Sequence, residues 1–178
     1  MYQQQALNAV FIDEFGTHLS MTPLKARAFK GQRAVERVPS KRGQNISVVS
    51  ALTAHGIQAP MMLSGSMDGL AFEAWLARVL VPVLVAGMVV FMDNVNFHRG
   101  ARVRELIEGA GCVLAYLPTY SPDLNPIEEA ISKVKEGLRR LKPRDFRGLE
   151  LGLVRVLETV SETDVLAWVT HAGYRLIA

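Results

Sequence analysis

Met88-Val89-Val90-Phe91-Met92-Asp93-Asn94 is the strongest buried-strand signal in the chain: five apolar residues in a row, closed by an acid and an amide. A short, uninterrupted apolar run bounded by polar residues is the pattern of a strand covered on both faces. Upstream, Leu7-Asn8-Ala9-Val10-Phe11-Ile12 reads the same way and ends in Asp13-Glu14. Downstream, Cys112 to Leu117 makes a third such run. If the first two strands are parallel neighbours, both of their terminal acids emerge at one edge of the sheet, where ligands of open α/β sheets gather.

The connecting segments define the rest of the fold. Residues 20–44 are basic and without clear periodicity, which suggests an extended arm or a hairpin. Asn45 to Leu52 alternates and is rich in β-branched residues, His55-Gly56 marks a turn, and Ile57 to Leu63 supplies a partner strand. Asp68 is placed to cap a helix in which Phe72, Trp75, Leu76, Val79, Leu80 and Val83 recur at helical spacing. Further helices are expected over Ala101–Glu108, Pro126–Leu141, Phe146–Val160 and Thr163–His171. A meander followed by β-α units implies a mixed sheet flanked by helices, the order of a ribonuclease-H-like α/β fold. On element order alone a Rossmann-like layout fits nearly as well.

The 178 residues suffice for a single domain with a sizeable core. A hydrophobic fraction of 49% with 21% charged residues excludes a disordered chain. The lone cysteine, Cys112, excludes an internal disulfide and reads as a small buried hydrophobe. Met1-Tyr2-Gln3-Gln4-Gln5 lacks the features of a signal peptide. Val79 to Met92, broken by Pro82 and Gly87, is too short to span a bilayer. A cytoplasmic protein without membrane contact is therefore expected. Charge is unevenly spread. Residues 24–44 carry +6 and residues 133–147 carry +5 in a chain of net charge +3, which leaves the remainder at −8. Two basic strips on an acidic body point to a polyanion surface, with Lys30, Arg33, Lys41, Arg42, Lys133, Arg139 and Arg140 as candidate DNA contacts. Two solvated faces would show the same composition.

Glu128 lies at the start of the helix that follows the third apolar run, so its carboxylate is able to point back towards Asp13 and Asp93. Three carboxylates converging on one point suit hard cations such as Mg²⁺ or Mn²⁺. A pair of ions roughly 3.5–4 Å apart would neutralise their mutual repulsion. Each acid also has a plain structural role open to it. Asp13 and Asp93 are ordinary strand-end residues. Asn125, Pro126 and Glu128 resemble a capping box, with Asn125 as N-cap and Glu128 at the third helical position. Other chemistries lack their motifs. No G-x-x-x-x-G-K-[ST] loop accompanies the Walker-B-like Ala9–Glu14, Phe15 stands where an aspartyl phosphatase needs a second Asp, His18, His55, His98 and His171 have no zinc-ligand spacing, and no G-x-S-x-G is present.

Tyr120-Ser121-Pro122-Asp123-Leu124-Asn125-Pro126-Ile127-Glu128 resembles the signature loop of the mariner superfamily of DDE transposases. Ile12-Asp13-Glu14 and Met92-Asp93-Asn94, with His98 downstream, resemble its two earlier acidic motifs. The 34 residues between Asp93 and Glu128 match the bacterial insertion-sequence branch. Gly31-Gln32, the strand from Asn45, Gly65 to Phe72 and the closing His171-Ala172-Gly173-Tyr174 also look like that branch. The resemblance implies a ribonuclease-H-like catalytic domain spanning residues 1–178, with residues 142–178 as C-terminal helices packed on it. It implies metal-dependent cleavage and strand transfer at insertion-sequence ends. Asp13, Asp93 and Glu128 would act as the catalytic, metal-binding triad, and Asn94 and His98 would lie near metal or DNA. Glu129, one helical step of about 100° further on, is expected to be a surface acid. The implied cofactors are two Mg²⁺ or Mn²⁺ ions. The implied partners are double-stranded DNA (terminal inverted repeats and target) and a second copy in a synaptic homodimer. The helix-turn-helix domain of such transposases does not precede Asp13, so a separate or frameshift-fused subunit is expected to supply it. A non-catalytic DNA-binding remnant that regulates transposition is the alternative.

Overall fold

The computed structural model describes residues 8–41, 43–94 and 100–174. Five strands form one sheet: β1 (Ala9–His18), β2 (Asn45–Thr53), β3 (Gly56–Ser64), β4 (Val89–Met92) and β5 (Val113–Tyr116), in the spatial order β3-β2-β1-β4-β5. β1, β2 and β3 pair antiparallel, while β4 and β5 join parallel to β1. This mixed sheet, with helices on its faces, is the ribonuclease-H-like arrangement, and it excludes the Rossmann-like layout, which needs a mostly parallel sheet. The β2–β3 hairpin forms as the alternation suggests.

The period-two pattern of β1 divides its side chains between two cores. Phe11, Phe15, Ile46, Val48 and Leu52 face helices α3 (Ile127–Leu141), α4 (Phe146–Leu157) and α5 (Glu162–His171). Val10, Ile12, Val49 and Ala51 face α1 (Gly69–Trp75), α2 (Ala101–Gly109) and the helical turns between α1 and β4. The buried residues of α3, Ile127, Ala130, Ile131, Val134 and Leu138, recur at three- and four-residue intervals and so form one stripe along its length. Gly137 lets α4 approach α3 closely: a β-carbon there would lie 2.6 Å from Val156.

Two elements differ from their sequence reading. β1 does not stop at Ile12; it runs to His18, kept extended by its pairing with β2, so Asp13 lies inside the strand. The helix capped by Asp68, whose Oδ1 accepts from the Ala71 amide at 2.8 Å, stays α-helical only to Trp75. It then widens into a π-turn over Leu76–Leu80 and tightens over Val81–Val83. Pro82 explains the change: it has no N–H for the Arg78 carbonyl, and its ring would collide with that carbonyl in a regular α-helix. The segment between β1 and β2 contains neither helix nor strand among its described residues, so the arm is extended and not a hairpin. Cys112 is buried as expected, its thiol donating to the Val85 carbonyl at 3.2 Å. No helix among the described residues is long and apolar enough to cross a membrane.

Candidate active site

The parallel register matches Ala9 with Val89, Val10 with Val90 and Phe11 with Phe91. Two positions further on stand Asp13, inside β1, and Asp93, just past the end of β4. The face of Phe11 is the one α3 covers, and Glu128 occupies the first turn of α3. β4 ends at Met92 whereas β1 continues, so the sheet has a step, and a cavity of 340 Å³ opens over it. Asp13, Asp93 and Glu128 all line this cavity, with Asn94, Asn125 and residues 117–122. The three acids therefore meet at one place from three separate elements.

Asp13 sits deepest. Its Oδ1 accepts from the Glu14 amide at 2.7 Å, and its Oδ2 accepts from Nδ2 of Asn125 at 3.3 Å. Burial pushes its carboxyl up to about 7. The Glu14 amide opposes this, and the nearby charges of Glu128, Asp93 and Glu14 add to it. A carboxylate so placed gains from any cation that enters the cavity.

The capping-box reading of Asn125 and Glu128 fails. Pro126 is the residue that starts α3, and no side chain caps the helix there. Asn125 turns its amide towards Asp13, and the Asn125 carbonyl accepts from the Glu128 backbone. Glu128 is thus released from a capping duty, and its exposed carboxylate lines the cavity. Glu129 points elsewhere: it pairs with His171 at the end of α5, as expected of a surface acid.

The loop between β5 and α3 is tied to the sheet at three points. The Leu117 amide donates to Met92, Asn94 Nδ2 donates to Thr119 Oγ1 at 3.4 Å, and Tyr174 donates its hydroxyl to the Leu124 carbonyl at 2.9 Å. Tyr174 in turn meets Phe11 and Phe91 edge-on, and those two rings stack with centroids 5.0 Å apart. This aromatic cluster lies directly beneath the two aspartates. Sequence reasoning missed Asn125 as a partner of Asp13 and Tyr174 as a brace. The signals were present, since both residues fall in the motif stretches quoted for the family resemblance, but their contacts span 112 and 50 positions. His98 and Arg42 lie outside the described residues.

The two basic strips meet each other along α3. Lys142 pairs with Glu36, and Arg144 donates to the carbonyls of Leu19 and Met21. Leu24 and Lys25 share a groove with Ser132, Glu136, Arg139 and Arg140. Arg139 stands eleven residues after Glu128, about 16 Å along the helix axis. Lys30, Arg33, Lys41 and Arg140 are exposed, Arg140 beside Glu136. Lys133 is held by Asp164 and the Thr159 carbonyl, both at 2.7 Å.

The donors around the cavity suit a hard divalent ion. All are oxygens apart from amide nitrogens, and the Oδ1 atoms of Asn94 and Asn125 are buried without a hydrogen-bond partner. The three carboxylates bound the cavity without closing on one another. Among the described residues no three acids, histidines or cysteines are gathered tightly enough to hold a metal by themselves.

The folds of solved transposases agree with this architecture. The chain is similar to the Mos1 strand transfer complex, with a TM-score of 0.73 at 16% identity over 94% of this chain and 52% of that one. It is similar to the mariner Mos1 paired end complex with Mg at 0.69 and 16%, over 93% and 53%. It is similar to the catalytic domain of Mos1 mariner transposase at 0.66 and 13%, over 93% and 77%. The chain spans about half the length of the transposase in the first two complexes. At such identities the likeness is one of fold. No curated protein sequence matches the chain. A family model does: residues 8–150 match that of the DDE superfamily endonucleases, and the chain belongs to this family.

Proposed function

We propose that this domain cuts DNA strands at the ends of a transposable element and joins them to target DNA. The observation that carries the reading is the convergence of Asp13, Asp93 and Glu128 on one oxygen-lined cavity at the end of the parallel β1–β4 pair. Membership of an endonuclease family supports it, as do solved relatives of the same fold described as a strand transfer complex and as a paired end complex with Mg. The two aspartates and Glu128 would hold a pair of Mg²⁺ or Mn²⁺ ions. Those ions, when bound, supply charge neutralisation and Lewis acidity towards a water or a DNA 3′-hydroxyl and the leaving oxygen.

The chain's own residues prepare the site. Asn125 and the Glu14 amide each hold one oxygen of Asp13, which fixes that carboxylate at the cavity wall. Asn94 fixes the loop at Thr119 and keeps its own carbonyl oxygen at the cavity wall. The packed rings of Phe11, Phe91 and Tyr174 keep water from the floor. His98 would act near DNA. Partners are proposed to be terminal-repeat and target DNA, a second copy in a synaptic homodimer, and a helix-turn-helix domain that reads the repeat. The test is cleavage of terminal-repeat DNA in the presence of such a domain. Product is expected with Mg²⁺ or Mn²⁺ and absent with EDTA; equal cutting in EDTA would refute the reading.

DNA binding is proposed to use the exposed cations Lys30, Arg33, Lys41 and Arg140 and the half-buried Arg139, with Arg42 from the same basic stretch of sequence. Lys133, already paired with Asp164, is expected to contribute least. Replacing Arg139 and Arg140 by Ala should weaken binding to all DNA sequences alike. It should also flatten the dependence of log K on log salt by about 1 for each phosphate that is no longer neutralised. Weakening confined to one DNA sequence would mean that these residues read bases, contrary to the assignment.

A further inference from the structure

We propose that Tyr120 is a base-stacking platform for the nucleotide at the scissile phosphate, an inference that rests on the reading of the cavity as a DNA-cutting site. Three non-glycine residues have positive φ among the described residues: Ala59, Tyr120 and Lys142. Two have local structural reasons. Lys142 closes α3 in the left-handed conformation usual for helix ends, and Ala59 sits at the irregularity in the β2–β3 pairing. Tyr120, at φ 57, occupies a turn between β5 and α3 where such a conformation calls for Gly or Asn. An aromatic residue in that conformation is a strained choice.

Its side chain returns nothing to the fold, because Tyr120 is 98% exposed. The backbone on either side is anchored at Leu117, Thr119 and Leu124. Pro118 and Pro122 further restrict the chain and bias Leu117 and Ser121 towards extended conformations. The loop is therefore built to hold one ring out in solvent, and Tyr120 lines the same cavity as the three acids. Strain concentrated on an exposed aromatic beside reactive groups points to a ligand that covers the ring.

The cavity beside the ring bears on what that ligand is. At 340 Å³ it lies near the lower end of the range of about 300–1,000 Å³ for small-molecule pockets. It has room for a phosphate with its sugar and base. Where the phosphate of one nucleotide sits at Asp13, Asp93 and Glu128, its base lies within reach of the rim, and a base that leaves the helical stack there needs a new stacking partner. An exposed ring at the rim supplies one for any of the four bases.

The test compares Tyr120→Gly, Tyr120→Phe and the parent. Glycine accepts positive φ, so it removes the ring without disturbing the turn. A terminal-repeat duplex carrying 2-aminopurine next to the cleavage site reports stacking directly, in Ca²⁺, without any cutting. Parent and Tyr120→Phe should quench it equally, and Tyr120→Gly should leave it bright and bind roughly tenfold to a hundredfold more weakly. With an abasic site in place of that base, the three proteins should bind alike. Equal quenching by Tyr120→Gly, or the same weakening on abasic DNA, would overturn the proposal. So would failure of Tyr120→Phe together with Tyr120→Gly, since the hydroxyl and not the ring would then matter. A parent that quenches but cuts nothing in Mg²⁺ would instead refute the function proposed for the site.

Discussion

Glu128→Gln is expected to keep the fold and DNA binding while strand cleavage and joining fall by orders of magnitude. The side chain caps no helix end, so its replacement by an isosteric amide removes no hydrogen bond that supports α3. Stability should stay within about 0.5 kcal/mol of the parent, as for most exposed substitutions. Chemistry should not survive so well. An amide oxygen is a neutral and weaker ligand for Mg²⁺ than a carboxylate, and among the described residues no fourth acid lines the cavity to replace it. Glu129→Gln, made alongside, should be nearly silent, because Glu129 faces His171 on α5 and not the cavity. The measurement is Mg²⁺-dependent cleavage of terminal-repeat DNA with thermal melts in parallel. Full activity in Glu128→Gln together with an inactive Glu129→Gln would mean that the third ligand had been placed on the wrong residue.

Asp13→Asn should abolish cleavage and yet stabilise the metal-free protein at neutral pH. The sign follows from the raised carboxyl. In the unfolded chain Asp13 ionises near ~4, whereas burial first, and then the neighbouring acids, lift it to about 7 in the fold. Below ~4 both states are protonated and the full stability is present. Between there and about 7 the unfolded state loses its proton first, so stability falls as pH rises, and above that range the penalty is constant. Because the side chain is partly exposed, the penalty is discounted to about 1–3 kcal/mol, enough to move the melting temperature by several degrees. Asparagine is neutral throughout; its carbonyl oxygen can accept from the Glu14 amide, and its Nδ2 can donate to Asn125 once that amide turns over to present its unpartnered Oδ1. In EDTA at pH 8 the variant should therefore melt higher than the parent and lose most of the pH dependence. Mg²⁺ should raise the melting temperature of the parent and leave the variant unmoved. A variant that melted lower in EDTA, or gained as much from Mg²⁺, would contradict this account of Asp13.

The parts of the site that depend on local pattern were legible in the sequence. The apolar run Val89–Met92 is short and unbroken, so its end at Asp93 is plain in the sequence, whereas its parallel pairing with β1 is only a condition there and is seen in the register of the sheet. Asp13 lines the cavity with Asp93, but it lies inside its strand and not at the strand's end. Its apolar run stops at Ile12, and only the antiparallel partner β2 holds the chain extended through Gly16 to His18. The local pattern at Asn125 and Glu128 pointed the wrong way. A capping box is a short-range motif, and the contact that overrides it, from Asn125 to Asp13, joins residues 112 positions apart. Lys133 shows the same limit. Its charge was visible in the basic strip, but its partner Asp164 lies on another helix. Pro82 was read as a break in an apolar stretch, and the π-turn before it depends on how the chain absorbs a missing donor while Leu76 and Leu80 stay buried.

Divalent-ion binding by the three carboxylates is the central claim, and the most direct measurement is the anomalous scattering of Mn²⁺ in crystals of the domain with a short terminal-repeat DNA. The account predicts Mn²⁺ density inside the cavity, within coordination distance of Asp13, Asp93 and Glu128, and its disappearance in the Glu128→Gln variant at the position that Glu128 holds. Mn²⁺ bound by Glu129, or by residues remote from the β1–β4 step, with the cavity open and bare beside the DNA, would contradict it.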